Sequence, residues 1–230
     1  MKKFVVVAAA IAAFGFVGSA SAADMPVKGP VYKAPMYAPT PVYNWTGFYI
    51  GLNGGVGIGR TTGDLFPVNG DGNFDLSGGL FGAQIGYNHQ FNNIVVGVEA
   101  DYDWADINGS TTVAGATQTA KVKSLGSLRG RLGVAWDRAL LYATAGWAWG
   151  SGEGSFSPTP TVTDSHTHYG YAVGAGLEYG ITQNLSAKAE YLYTSLTPTD
   201  YFKSAGCPAS CGAGANVSTF RIGANWRFMP

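Results

Sequence analysis

The sequence predicts an all-β chain: an eight-stranded antiparallel transmembrane β-barrel with short periplasmic turns and long extracellular loops. Three observations predict it. From Trp45 onward apolar and polar residues alternate with period two in eight successive stretches. The connections between them alternate between tight turns and long polar segments, as in outer-membrane barrels. The chain also opens with an export signal and has no later apolar run able to cross a bilayer as a helix, so only a closed barrel could satisfy its backbone in lipid.

The first 22 residues read as that signal. Lys2 and Lys3 precede an apolar run from Phe4 to Val17, and small residues end at Ala20-Ser21-Ala22. A basic start, a short apolar core and an A-x-A end define a secretory signal peptide. Cleavage is expected after Ala22 or, one residue later, after Ala23. Residues 23–44 follow as a Pro/Tyr-rich leader with Pro26, Pro30, Pro35, Pro39 and Pro41. Proline at this density disfavours helix and sheet and gives an extended chain. The leader is expected on the periplasmic side, because an even strand number puts both chain ends there. Residues 45–230 are the barrel.

Composition narrows the function classes. Removing Lys2 and Lys3 from 14 basic residues leaves 12 against 14 acidic ones, too balanced for nucleic-acid binding. Only 12% of residues are charged, while Gly, Tyr, Phe and Trp are abundant. A soluble surface usually carries about 25% charged residues. Cys207 and Cys211 are expected to form a small loop disulfide in an oxidising envelope.

The strands are expected near 45–59, 77–90, 94–105, 121–136, 140–150, 166–179, 185–197 and 217–229. Asn92-Asn93, Asp137-Arg138 and Thr182-Gln183-Asn184 supply the tight turns. Residues 60–76, 106–120, 151–165 and 198–216 are read as long polar loops. In the last strand Phe220, Ile222, Ala224, Trp226 and Phe228 share one parity and Arg221, Gly223, Asn225 and Arg227 the other. In the third, Ile94, Val96, Val98, Ala100, Tyr102 and Trp104 oppose Gly97, Glu99, Asp101 and Asp103. No charge falls on the apolar parity of any strand centre, as lipid requires. Aromatic residues near strand ends, among them Trp45, Trp104, Trp136 and Trp226, read as interface girdles.

The polar parity then lines the lumen. It carries Glu99, Asp101, Asp103, Glu178 and Glu190 with Arg129, Arg131, Lys188, Arg221 and Arg227. Glu99, Asp101 and Asp103 are expected beside Arg129 and Arg131, and Lys188 and Glu190 beside Arg221 and Arg227. An eight-stranded barrel is only wide enough for side chains to fill it. The expected function is therefore a structural and surface-interaction barrel plugged by ion pairs. The alternative is a narrow porin for passive diffusion of small solutes. Catalysis is not expected: the histidines are His89, His166 and His168, and a Ser/His/Asp set can be assembled only from ordinary loop residues. His166 and His168 share one face and suggest surface haem binding as a lesser alternative. No cofactor or metal is expected.

Several segments carry a family resemblance. Trp45-Thr46-Gly47-Phe48-Tyr49-Ile50-Gly51-Leu52-Asn53-Gly54-Gly55, after a signal peptide and a Pro/Tyr-rich leader, resembles the small porin-like outer-membrane proteins of alphaproteobacteria. These belong to the OmpA-like, opacity-type barrel superfamily. Gly79, Gly82 and Gly86 before Tyr87-Asn88, the run Ser127–Gly133, the run Gly170–Tyr179 and the closing run Phe220–Phe228 resemble further strands of that family. The resemblance implies an abundant Gram-negative outer-membrane protein. It also implies partners: outer-membrane lipid and lipopolysaccharide, periplasmic chaperones and the barrel-assembly machinery. Phe228, followed by Met229 and Pro230, is read as the C-terminal assembly signal. Members are described as porins, structural proteins, surface antigens and haemin binders, so the resemblance fixes no single activity.

Overall fold

The computed structural model describes residues 43–62, 73–113, 116–157, 162–200 and 212–228. The export signal with Ala22 and Ala23, the leader up to residue 42, Cys207 and Cys211, and Met229 and Pro230 lie outside the described residues. Eight strands pair in chain order and close into a barrel: β1 (Gly47–Thr62), β2 (Asp75–Phe91), β3 (Ile94–Val113), β4 (Ala116–Trp136), β5 (Ala139–Ser157), β6 (Val162–Gly180), β7 (Leu185–Asp200) and β8 (Gly212–Phe228). Every pair is antiparallel. The seam between β8 and β1 is a regular ladder from Phe48↔Phe228 to Thr62↔Gly214.

At one end of the barrel β2–β3, β4–β5 and β6–β7 join through short turns at 92–93, 137–138 and 181–184. Asn92 (φ 56°) and Asp137 (φ 49°) take the left-handed conformation that Asn and Asp tolerate better than other side chains. The opposite end is where the sequence reading needs correction. Residues 106–113 and 116–120 are not a loop: β3 and β4 stay paired from Ile107↔Val122 up to Val113↔Ala116. β5 and β6 likewise stay paired to Phe156↔Val162, and β7 and β8 to Asp200↔Gly212. These segments are polar, but the β3–β4 ribbon carries Thr111, Thr112, Thr117 and Thr119, β-branched residues that fit a pleated pair. Thr112 and Thr117 hydroxyls lie 3.1 Å apart across that ribbon. Polarity marks where a strand leaves the apolar layer, and pairing continues past that point.

The parity assignment holds in every strand. Outward residues such as Leu52 (71% exposed), Phe81, Leu128, Trp147, Leu177 and Ile222 (72%) present apolar surface, while Glu99, Asp101, Arg129, Glu178, Lys188 and Arg221 are buried. Exposed aliphatics around buried charges invert the order of a water-soluble protein and match a wall that faces hydrocarbon. Register shifts interrupt the β3–β4, β4–β5 and β7–β8 ladders among the described residues. Lys123 is an extra residue in β4, between Val122↔Gly152 and Ser124↔Ser151. Such a bulge shifts the parity of all that follows it along the strand.

Candidate functional site

The barrel interior is filled in three tiers. At the turn end, Tyr43, Trp45, Val95, Ala135, Leu140 and Tyr142 form a buried cluster. Residues 43–46 precede β1 and enter the barrel mouth. The Trp45 amide donates to Gln90 Oε1 (2.8 Å) and its indole N–H to the Asp137 carbonyl (3.3 Å). The Arg227 guanidinium lies over the Trp45 ring at 4.6 Å and the Tyr43 ring at 5.2 Å and donates to the Asn44 carbonyl (3.0 Å). Trp45 is therefore not a girdle residue, contrary to expectation. It shares the odd parity of Tyr49 and Asn53, the inward side of β1, and that signal was present in the sequence. Replacing it by phenylalanine removes the indole donor that ties the barrel mouth to the Asp137 carbonyl of the β4–β5 turn. Trp45→Phe is expected to cost about 1–2 kcal/mol of barrel stability, read as a lower urea midpoint in detergent.

The middle tier is ionic. Glu99, Asp101, Asp103, Glu178 and Glu190 share it with Arg129, Arg131, Lys188, Arg221 and Arg227, all nearly inaccessible. Arg129 reaches Glu99 and Asp101, each at 2.7 Å, and Glu190 at 3.3 Å. Arg221 joins Asp103 (2.5 Å), Asp101 (3.3 Å) and Glu190. Lys188 lies 3.3 Å from Glu99, and Arg227 3.7 Å from Glu178. These contacts tie β3 and β4 to β7 and β8 through the barrel axis. The expected neighbours meet in part: Asp103 joins Arg221 rather than Arg129 or Arg131, and Arg227 lies beside Glu178 rather than Glu190. Arg131 lies 3.8 Å from Glu99, but its close partner is Glu178 on β6.

Neutral side chains complete this tier. Tyr49 donates to Glu99 (2.8 Å), Tyr142 to Glu190 (2.9 Å) and Ser127 to Asp101 (2.6 Å). Asn225 donates to Glu178 (2.9 Å). The two tyrosines need room that glycines leave. A Cβ on Gly86 would come within 2.4 Å of the Tyr49 ring, and one on Gly176 within 2.4 Å of the Tyr142 hydroxyl. That close approach explains why the inward parity is rich in glycine.

The third tier, toward the hairpin end, was not foreseen. Leu76, Leu80, Ile107, Val122, Leu125, Leu196 and Val217 form a buried apolar cluster on the lumen side. Leu76, Leu80, Leu192 and Leu196 continue the inward parity of their strands, so the alternation does locate them once their strands are extended. Above this cluster lies a recess of about 40 Å³ lined by Leu76, Val122, Leu196, Thr61 and His168. His168 is buried there, with Nδ1 3.2 Å from the Thr197 carbonyl. His89 sits far along the chain at the turn end, its ring 4.3 Å from that of Phe91. Phe228 faces outward beside Phe48 across the seam.

Comparison with known proteins places this architecture. Residues 9–228 match the family described as "Outer membrane protein beta-barrel domain". The chain belongs to that family. It is 35% identical to the 31 kDa outer-membrane immunogenic protein of Brucella melitensis, covering 97% of this chain and 99% of that one. It is 33% identical to the 22 kDa outer membrane protein of Rhizobium leguminosarum over 82% and 80% of the two chains. A 25 kDa outer-membrane immunogenic protein of Brucella melitensis is 31% identical over 99% of each. Among solved structures, Ail of Yersinia pestis aligns with a TM-score of 0.44 at 19% identity, over 79% of this chain and 99% of that one. The exposed apolar wall of this outer-membrane barrel is thus its lipid surface.

Proposed function

We propose that this outer-membrane barrel is a closed structural and surface-interaction element, neither a diffusion pore nor an enzyme. The observation that carries this reading is the axial tie between strands on opposite sides of the lumen: Arg129 and Arg221 together engage four carboxylates of β3 and β7. With an aromatic tier below and an aliphatic tier above, water and solutes meet packed side chains at three successive levels. Such a lumen stiffens the wall and leaves recognition to the paired hairpins beyond the membrane, since variable connections on a rigid scaffold carry binding. In this reading the short turns and the leader face the periplasm and the hairpins face outward. The barrel-assembly machinery reads Phe228, and the outer wall contacts lipid and lipopolysaccharide. The names of the Brucella relatives, which call those proteins immunogenic, accord with an antibody-accessible surface.

The test is planar-bilayer recording of the purified mature barrel. Current indistinguishable from the protein-free membrane is expected. Reproducible unitary steps would replace the closed reading with the diffusion pore.

A further inference from the structure

The β4 bulge has a consequence on the outside of the barrel. Below it the inward residues of β4 are odd-numbered, Leu125, Ser127, Arg129 and Arg131. Without it Lys121 and Lys123 would keep that parity and enter the lumen. With Lys123 inserted as the extra residue, Val122 turns into the apolar tier and both lysines face outward, with 43% and 50% of their side chains exposed. Bulges often re-aim a side chain in this way.

The height of the two lysines is equally specific. Trp104 pairs with Ser124 and Trp149 with Gly126, so an aromatic band lies directly beneath them on the same outer face. Trp149 lies across Gly126, where a Cβ would meet its ring at 2.5 Å, and it packs 6.2 Å from Trp147. The lysines therefore stand where the apolar wall ends, at headgroup level. Two carboxylates hold them in place. Lys121 lies 2.9 Å from Asp106, and Lys123 pairs with Glu153. Asn108 also donates to the Asp106 carboxylate (3.3 Å). Ion pairs this exposed contribute little and exchange readily for a stronger anion.

We propose that Lys121 and Lys123, above the Trp104 and Trp149 rings, form a docking site for the phosphorylated sugar headgroup of an outer-leaflet glycolipid. The lysines are two residues apart on one face, about 6–7 Å along the strand, close enough for long side chains to share one phosphate. The amphipathic aromatic band offers ring faces to the sugar and apolar edges to the acyl chains. Asp106 and Glu153 keep the ammonium groups positioned when no phosphate is bound, and they compete with it. This inference rests on the outward orientation of the hairpin end proposed above.

The experiment uses the full mature barrel folded in detergent and bisphosphorylated lipid A as the probe, with dephosphorylated lipid A and phosphatidylglycerol as comparisons. Retention is read by native mass spectrometry. Lys121→Gln/Lys123→Gln is expected to retain bisphosphorylated lipid A about tenfold less well than wild type, as expected for removing two cations near an anionic surface. Asp106→Asn/Glu153→Gln is expected to retain it at least as well as wild type, because the competing anions are gone. Retention of the lysine variant within twofold of wild type would overturn the site. So would equal wild-type retention of the dephosphorylated lipid or of phosphatidylglycerol. The folded gel mobility of each variant confirms that the barrel is intact. Labelling of a Thr112→Cys variant by a membrane-impermeant maleimide on intact cells, above the wild-type background, reads the orientation separately at a hairpin position outside the site: no added label would reverse the barrel while leaving the binding result to judge the site.

Discussion

An Arg129→Ala barrel is expected to lose about 3–5 kcal/mol of stability, the usual cost of removing one partner from a buried ionic cluster. The measurement is the temperature at which the folded gel mobility disappears, together with the urea midpoint in detergent. The geometry explains the size. Arg129 serves Glu99 and Asp101 at 2.7 Å and Glu190 at 3.3 Å, and the middle tier holds as many carboxylates as cations. Alanine leaves three carboxylates facing one another with one cation fewer. Lys188 and Arg221 touch the same carboxylates at 3.3 Å and can take over part of the load, which keeps the tier from collapsing. Adding Glu99→Gln should recover part of the loss, because it removes one unmatched charge from the same network. A midpoint equal to wild type would mean that the axial tie contributes nothing to holding the wall.

This tier was legible in the sequence to the extent that register follows from parity. Glu99↔Arg129 and Glu190↔Arg221 are cross-strand neighbours, and counting outward from the tight turns finds them. Arg131 was not legible in that way. Its partner Glu178 belongs to β6, two strands away from β4, and an arginine in so narrow a barrel is long enough to reach past its neighbour. The aromatic tier is hidden for another reason. Tyr43 and Trp45 precede the strand, and girdle statistics overrode the parity that pointed them inward. The bulge at Lys123 leaves almost no trace in composition, because one inserted residue changes the facing of its neighbours and not their identity. The hairpins resemble loops in sequence because their residues are mostly small and polar, and the alternation fades where the outward face leaves the apolar layer.

The lipid wall itself gives the sharpest contrast. Ile222→Arg is expected to destabilise the barrel in bilayer vesicles by about 2–4 kcal/mol, whereas Ser218→Arg on the same face should cost only about 0–1 kcal/mol. Both residues lie on the outward parity of β8. Ile222 stands between Gly54 and Ala189 in the middle of the wall and is 72% exposed, while Ser218 lies four residues nearer the hairpin end, its hydroxyl 3.0 Å from that of Tyr191. A guanidinium at Ile222 meets hydrocarbon on every side and must bend toward a headgroup, and at Ser218 it is already close to one. The readout is the urea midpoint in vesicles of defined thickness, with Ile222→Leu as a control that keeps volume and polarity. A soluble exterior would accept arginine equally at both positions, since water solvates the charge at any height. Equal tolerance would therefore place the outward face of β8 in water and remove the physical basis for the wall's inverted polarity. A steep difference between two residues on one face of one strand can come only from a solvent whose polarity changes with depth.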